Sequence, residues 1–262
     1  MTRTLWVVAV CLSVWVGCAA EKVISGRRDF SIDPTLDHKP VSLAQLVASP
    51  SSYKGLDIVF EGLYNRREET IWNHFYTPFV PEDYTSFSVW SPEARVWELG
   101  ERLNSVPTLY LRKTSEEMHA LLKVRPYDRV RIWAQVKSDY ENRPWMDVHE
   151  VDIVQRQVFT DESLRNLVSG LAEAAERKPA PAKEQLEKGI QGPLSNEARY
   201  VAHMTLGRLY EESNDFVRAM EHFSRAEGLK DDDPAALEGI ERNRRFEERR
   251  RQIEEGKEAE KP

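Results

Sequence analysis

The sequence predicts an α+β fold, in which a small closed β-barrel is followed by a module of α-helical hairpins. Two patterns along the chain predict it. Within residues 41–156, short runs rich in β-forming residues are separated by turn residues, and residues 128–137 alternate between apolar and polar side chains. From Thr160 onwards the apolar residues recur at helical spacing instead. We therefore expect a barrel domain at 41–156 and a helical domain at 160–240.

The composition excludes several classes of protein. The chain has 262 residues, of which 40% are hydrophobic and 31% are charged, so it is neither a multispanning membrane protein nor wholly disordered. Lys and Arg number 37 against 44 Asp and Glu, which gives a net charge of −7. Because a net acidic chain repels phosphate backbones, we expect no general affinity for nucleic acid.

The first 18 residues have the pattern of an export signal. Arg3 precedes an apolar stretch, residues 5–16, that is too short to cross a ~30 Å hydrocarbon layer as a helix. The segment ends in WVGC, which resembles a bacterial lipobox. That resemblance implies that the thiol of Cys18 takes a diacylglyceryl group with acyl chains such as palmitate, and that the exported protein is anchored to a bacterial membrane on the periplasmic side. The alternative to a lipoprotein signal is an ordinary secretory signal that is cleaved nearby. The residues that follow, 19–40, are predicted to be a flexible tether.

Five strands and three short helices are expected in the barrel domain. The predicted strands are residues 56–64, 85–90, 108–112, 128–137 and 145–154, and the predicted helices are residues 43–47, 93–103 and 115–122. In the fourth strand one face is apolar, and its members are Val130, Ile132, Ala134 and Val136. A helix before the last pair of strands is compatible with a small closed barrel.

Three segments of this domain resemble a known fold. The lead-in SLAQLVASPSSYKGLDIVFEG and the hairpin PYDRVRIWAQVKSDYENRPWMDV resemble OB-fold domains of bacterial envelope lipoproteins. The stretch FYTPFVPEDYTSFSVW is similar to a feature of such domains in planctomycete-type proteins. The resemblance covers residues 42–154 and implies an OB-like barrel, without indicating a particular ligand.

Two features of the barrel domain are candidates for binding. The polar face of the fourth strand would suit an oligosaccharide or a nucleic acid, and its members are Arg129, Arg131, Trp133 and Lys137. A solvated outer face is the alternative. Residues 64–97 hold nine of the 25 aromatic side chains, which would either plug the barrel or present a surface to a partner or a glycan.

A six-residue signature marks a helical hairpin after residue 200. Its members are Leu206, Gly207, Tyr210, Ala219, Phe223 and Ala226. The spacing matches the tetratricopeptide repeat, in which small residues stand where two helices touch and aromatic residues fill the space where they diverge. Asn214 and Asp215 supply the turn, and His203 stands where that family usually has Trp.

The signature has weaker neighbours on both sides. Helices at 161–176 and 182–190 would form a degenerate repeat, and Ala236, Leu237 and Ile240 would belong to a cap helix. Residues 241–262 are predicted to be a charged helix that frays into a disordered tail. Since a stable core usually needs about three repeats, we expect that the barrel caps the first hairpin or that the chain forms a homodimer.

The tetratricopeptide resemblance implies a concave groove that binds a protein partner. The residues at the matching positions are Val201, Met204, Arg208, Glu211 and Glu212. Their mixed charges suit an extended peptide that carries both signs of charge. A solvated helix face is the alternative.

No pattern in the sequence points to catalysis, to a metal or to a cofactor. Asp147 and His149 share a strand face, but no nucleophile accompanies them. We therefore expect a non-catalytic, membrane-anchored adaptor for envelope proteins. The alternative is an OB-fold module that binds a ligand on the envelope.

Overall fold

The computed structural model describes residues 38–68 and 76–259, with the last helix described by its side chains as far as residue 255. This part of the chain is a mixed α and β structure, in which a six-stranded sheet is followed by a helical region. The predicted signal peptide with Cys18, and the predicted tether up to residue 37, lie outside the described residues.

The five predicted strands are present and most extend further, whereas a sixth, at residues 39–40, lies where the sequence predicts the end of a flexible tether. They are β1 Lys39–Pro40, β2 Asp57–Glu68, β3 Tyr84–Trp90, β4 Val106–Arg112, β5 Arg129–Ser138 and β6 Trp145–Gln155. Their order in the sheet is β1-β2-β3-β4-β6-β5, and β5 also pairs with β2. The hydrogen-bonded pairing from β2 through β3, β4, β6 and β5 therefore returns to β2, and β1 lies outside this cycle. All the pairs are antiparallel except β1 with β2 and β4 with β6.

The sheet encloses its own core, as the alternation in β5 predicts. Val130, Ile132, Ala134 and Val136 are all fully buried. The helix α1, Leu43–Ala48, covers one side of this core with Leu43 and Leu46, and it begins at a capping box formed by Ser42 and Gln45. The short helix α3, Met118–Leu121, contributes Leu121.

The prediction of a helix at 93–103 is wrong for most of these residues. Only α2, Leu99–Leu103, is helical, and residues 92–97 form turns. Val96 and Trp97 are instead buried between the sheet and the helices. Two hydrogen bonds of Arg102 hold the backbone of this segment in place. Its side chain donates from Nε to the carbonyl of Val96 (2.9 Å), and its backbone carbonyl accepts from Nε1 of Trp90 (2.9 Å). Tertiary contacts therefore override the local helical pattern.

Five helices form the C-terminal region. They are α4 Asp161–Ala175, α5 Pro179–Gln191, α6 Asn196–Glu212, α7 Phe216–Glu227 and α8 Pro234–Ala259. The helix α5 begins three residues before the predicted start, since proline is favoured at a first helical position, where its missing N–H costs no hydrogen bond. The helix α8 is much longer than the predicted cap helix, and ion pairs one turn apart, such as Arg245 with Glu241, support its exposed part.

The signature residues pack at the contact between α6, α7 and α8. A Cβ atom added to Gly207 would lie 2.8 Å from the ring of Phe223, and one added to Gly239 would lie 2.8 Å from the other side of the same ring. Phe223 is buried and cannot move away. The two glycines therefore allow one aromatic side chain to be clamped between two helices.

The sheet and the first helical hairpin share one apolar cluster. Trp90 stacks on Tyr127 with ring centroids 5.7 Å apart, and Phe159 meets the edge of Tyr127 at 6.0 Å. Leu164 and Leu167 of α4 belong to the same cluster. The expectation that the first hairpin is capped by the preceding domain is thereby confirmed, whereas homodimer formation stays a prediction.

Replacing Gly207 by Ala should lower the free energy of unfolding by about 1–3 kcal/mol, because the added methyl group would overlap the immobile ring of Phe223. Urea unfolding followed by circular dichroism measures the change. Gly100 of α2 is the matched control, since no atom lies within 4 Å of an added Cβ there. Equal stability of Gly207→Ala and the wild type would contradict this packing.

Replacing Trp90 by Ala should lower the free energy of unfolding by about 3–5 kcal/mol, because it removes a buried ring from the shared cluster. Tyr76→Ala is the control, since Tyr76 is an aromatic residue of the same segment but is 64% exposed. A thermal melt of both variants makes the comparison. A small loss for Trp90→Ala would mean that the shared cluster does not support the fold.

Candidate functional site

A groove on the surface of α6 and α8 brings together part of the predicted binding site. It is a cavity of about 590 Å³ lined by Arg208, Glu211, Glu212, Asn214, Phe216 and Phe246, and we call it the α6–α8 groove. Three of its members are among the five residues predicted from the repeat. Val201 is half-buried and Met204 is buried, so Met204 belongs to the core and is not available to a partner.

The charges in the groove are only partly free. Glu211 accepts from Arg242 of α8 in a two-pronged ion pair, with Nη2 to Oε2 at 2.8 Å and Nε to Oε1 at 2.5 Å. These hydrogen bonds hold the pKa of Glu211 below its usual value, although partial burial opposes the shift. Arg208 and Glu212 are exposed and form no ion pair among the described residues. The groove therefore offers one charge of each sign outside an ion pair, although the charge of Arg208 also helps to lower the pKa of Glu211.

Two aromatic residues that the repeat pattern does not single out form the apolar part of the groove. Phe216 begins α7 and Phe246 lies on α8, with ring centroids 5.2 Å apart. Phe246 remains 38% exposed. The sequence signal that marks Phe246 is that it is one of only two large apolar residues, with Ile253, in the strongly charged segment 241–262. A peptide side chain laid on this pair would be desolvated on one face.

On the predicted ligand face of the sheet, carboxylates of neighbouring strands lie beside the cations. Glu61 of β2 lies between Arg129 (2.8 Å) and Arg131 (2.7 Å) of β5. Although burial raises the pKa of Glu61, hydrogen bonds from the two guanidinium groups outweigh it, and the pKa lies below its usual value. Lys137 lies 4.0 Å from Asp147. The cations are therefore paired, which weakens the case for an anionic ligand on this face.

The described aromatic residues of the segment 64–97 divide between three buried clusters. Tyr64 and Phe87 lie in the core of the sheet, Trp90 and Trp97 lie in the cluster shared with the helices, and Phe79 and Tyr84 lie in a third, smaller cluster. Tyr110 points away from its buried neighbours Leu109 and Leu111, and stacks on Phe79 at 4.2 Å and on Trp145 at 5.8 Å. Phe79 thus packs on the side of β4 that faces away from Leu109 and Leu111. Trp72 and Phe75 of the segment lie outside the described residues.

The two members of the acid–base pair considered from the sequence have different charged neighbours. His149 lies 3.8 Å from Asp57, whereas Asp147 lies near Lys137. Within the described ranges no three His, Cys, Asp or Glu side chains approach closely enough to hold a metal ion. No helix in those ranges is both long and apolar enough to cross a membrane.

Comparisons with other proteins do not identify the chain. No protein-family model matches the sequence, and a search of curated proteins found no match. The case for a function therefore depends on the geometry of the sites themselves.

A second polar feature lies between α6 and α7. His203 and His222 are both 7% exposed, and their Nδ1 atoms are 3.0 Å apart, so one ring donates and the other accepts. Burial, the charge of His222 and nearby guanidinium groups lower the pKa of His203 to about 4. Burial and the guanidinium group of Arg225 also lower the pKa of His222. Both rings are therefore neutral at pH 7.

Acidification should destabilise the protein through this pair. The unfolded histidines take up protons below their ordinary pKa of about 6.5, whereas folded His203 resists protonation until about pH 4 and the pKa of folded His222 is also lowered, so stability falls as the pH falls below about 6.5. Between about pH 7.5 and pH 5 we expect the wild type to lose about 1–2 kcal/mol more than the double variant His203→Leu/His222→Leu. Urea unfolding at the two pH values measures the difference. Parallel pH profiles for the two proteins would refute the assignment.

Proposed function

We propose that the closed sheet is an OB-like barrel and that the helical hairpins are tetratricopeptide repeats. Three features support the barrel: the cyclic pairing of five strands, the parallel pair β4 and β6, and the helix α3 before the last two strands. Two features support the repeats. The signature residues lie on α6 and α7, and small residues stand at the helix contacts, with Gly207 against Phe223 and Gly170 of α4 against Leu186 of α5.

We further propose that the protein is a non-catalytic adaptor that binds an envelope protein partner in the α6–α8 groove. The observation that carries this proposal is the groove itself, in which an exposed Phe246 lies beside an unpaired Arg208. Exposed aromatic and arginine side chains are the types that most often dominate binding energy at protein interfaces. With Glu212 at the rim, the groove suits an extended peptide with an apolar residue between charges of both signs.

The anchor completes the proposal. The lipobox-like sequence before Cys18 favours a lipoprotein held at a bacterial membrane on its periplasmic side. A lipid anchor and a peptide groove on one chain would keep the partner near the membrane. Such a tether would raise the local concentration of the partner without any further contact.

Reversal of the charge at Arg208 tests the adaptor function. Arg208→Glu and Phe246→Ala should each weaken capture of the partner by about tenfold, since one loses the free cation and the other the apolar contact. The measurement is crosslinking of the full-length protein in native membranes, with quantification of each co-purified protein. Both variants should retain the wild-type melting temperature, because both side chains are exposed.

Arg143→Glu is the matched control, as Arg143 is exposed at the turn before β6, far along the chain from the groove. A partner that Arg143→Glu retains and both groove variants lose would support the adaptor function. If every protein is captured equally by all four forms, the groove is not the binding site.

A further inference from the structure

A cluster of cations lies where α3 and β6 end at the surface of the barrel domain. The cavity there measures about 630 Å³ and is lined by Leu122, Lys123, Arg125, Arg156 and Gln157. All three charged residues in the lining are cations, and we call Lys123, Arg125 and Arg156 the basic cluster. On a chain with a net charge of −7, such a local excess of positive charge is not expected from composition.

A single buried carboxylate organises this cluster. Asp128 is fully buried, and its oxygens accept from Arg156 Nη1 (2.9 Å), from the backbone N–H of Arg125 (3.0 Å) and from the backbone N–H of Gln157 (2.8 Å). Arg156 Nη1 also donates to the carbonyl of Lys123 (2.8 Å). The carboxylate of Asp128 thereby fixes the guanidinium group of Arg156 and the backbone at Arg125 and at Gln157, which belong to the two segments that line the cavity.

The remaining cations have no carboxylate partner. Lys123 and Arg125 are exposed and form no ion pair among the described residues. The hydrogen bonds of Arg156 use only Nη1, so its other N–H groups are available to a ligand. Three positive charges therefore face one buried negative charge, which is already engaged by three donors.

The backbone around the cluster is held rigidly. Tyr127 and Gln157 adopt positive φ angles of 66° and 48°, a conformation that non-glycine residues adopt only at a cost. Tyr127 is fixed by its N–H bond to the carbonyl of Tyr64 (2.8 Å) and by its stacking on Trp90. The cavity is therefore preorganised by the same cluster that joins the sheet to the helices.

We propose that the basic cluster binds a phosphate group. A planar guanidinium group held in place and two further cations match the oxygens of a phosphate, to which they would donate charge-assisted hydrogen bonds. Leu122, which is 58% exposed at the rim, adds an apolar contact. A phospholipid headgroup and a free phosphate share this chemistry, and they differ in whether the phosphorus carries two ester bonds or none.

Titration of the full-length protein in neutral detergent with two soluble probes tests the proposal. The probes are inorganic phosphate and glycerophosphoglycerol, which is the headgroup of an anionic lipid with its phosphodiester intact. Isothermal titration calorimetry at low salt measures the affinity. The variant is Lys123→Gln/Arg125→Gln, which leaves the buried pair of Arg156 and Asp128 intact and so should preserve the fold.

We expect saturable binding of at least one probe by the wild type, and about tenfold weaker binding by the variant. The control Lys188→Gln/Arg244→Gln removes the same charge from exposed helix positions and should bind as the wild type does. The exchange Lys123→Arg/Arg125→Lys should retain most of the affinity.

The outcomes separate the two sources of the phosphate. Tighter binding of the diester supports a lipid headgroup, and binding of inorganic phosphate alone supports a free phosphate. Binding of neither probe by the wild type would overturn the proposal, as would equal affinity of the wild type and the Lys123→Gln/Arg125→Gln variant. Neither result depends on the α6–α8 groove.

Discussion

The aromatic contact between the sheet and the first helical hairpin is the interaction on which the rest of the structure depends. The first helical hairpin packs against the sheet and against the turns that follow β3. Trp90 of β3 and Trp97 of those turns lie in the shared cluster, and Tyr127 and Phe159 continue it towards α4. One end of the array of helices is therefore covered by the segments that precede it.

This arrangement places two surfaces of different character on one compact unit. The α6–α8 groove lies on α6 and α8 and combines an aromatic pair with single charges of both signs. The basic cluster lies beside Tyr127, where α3 and β6 end, and carries only cations. The two surfaces share no residue, so the proposed peptide and the proposed phosphate group would not compete for the same side chains.

The sequence predicted features that depend on neighbouring residues along the chain. The alternation in β5 identified the side chains of the sheet core, because a strand repeats every two residues whatever surrounds it. The spacing of Gly207 and Phe223 identified a helical hairpin for a similar reason. Predictions failed where a distant contact decides, as at Val96 and Trp97, whose burial against the helices replaced a helix with turns.

The sequence by itself therefore determined the mixed fold, the order of its elements and the helix that carries half of the groove. Only the tertiary structure decided which charges remain free. Glu61 is paired with arginines about 70 positions away along the chain, and Glu211 is paired with Arg242. Asp128 is paired with Arg156. Arg208 and Lys123 form no ion pair among the described residues. Pairing of this kind depends on which elements lie side by side in the fold. Periodicity along the chain shows which side chains share a face of a helix or strand. It does not show which other element packs against that face.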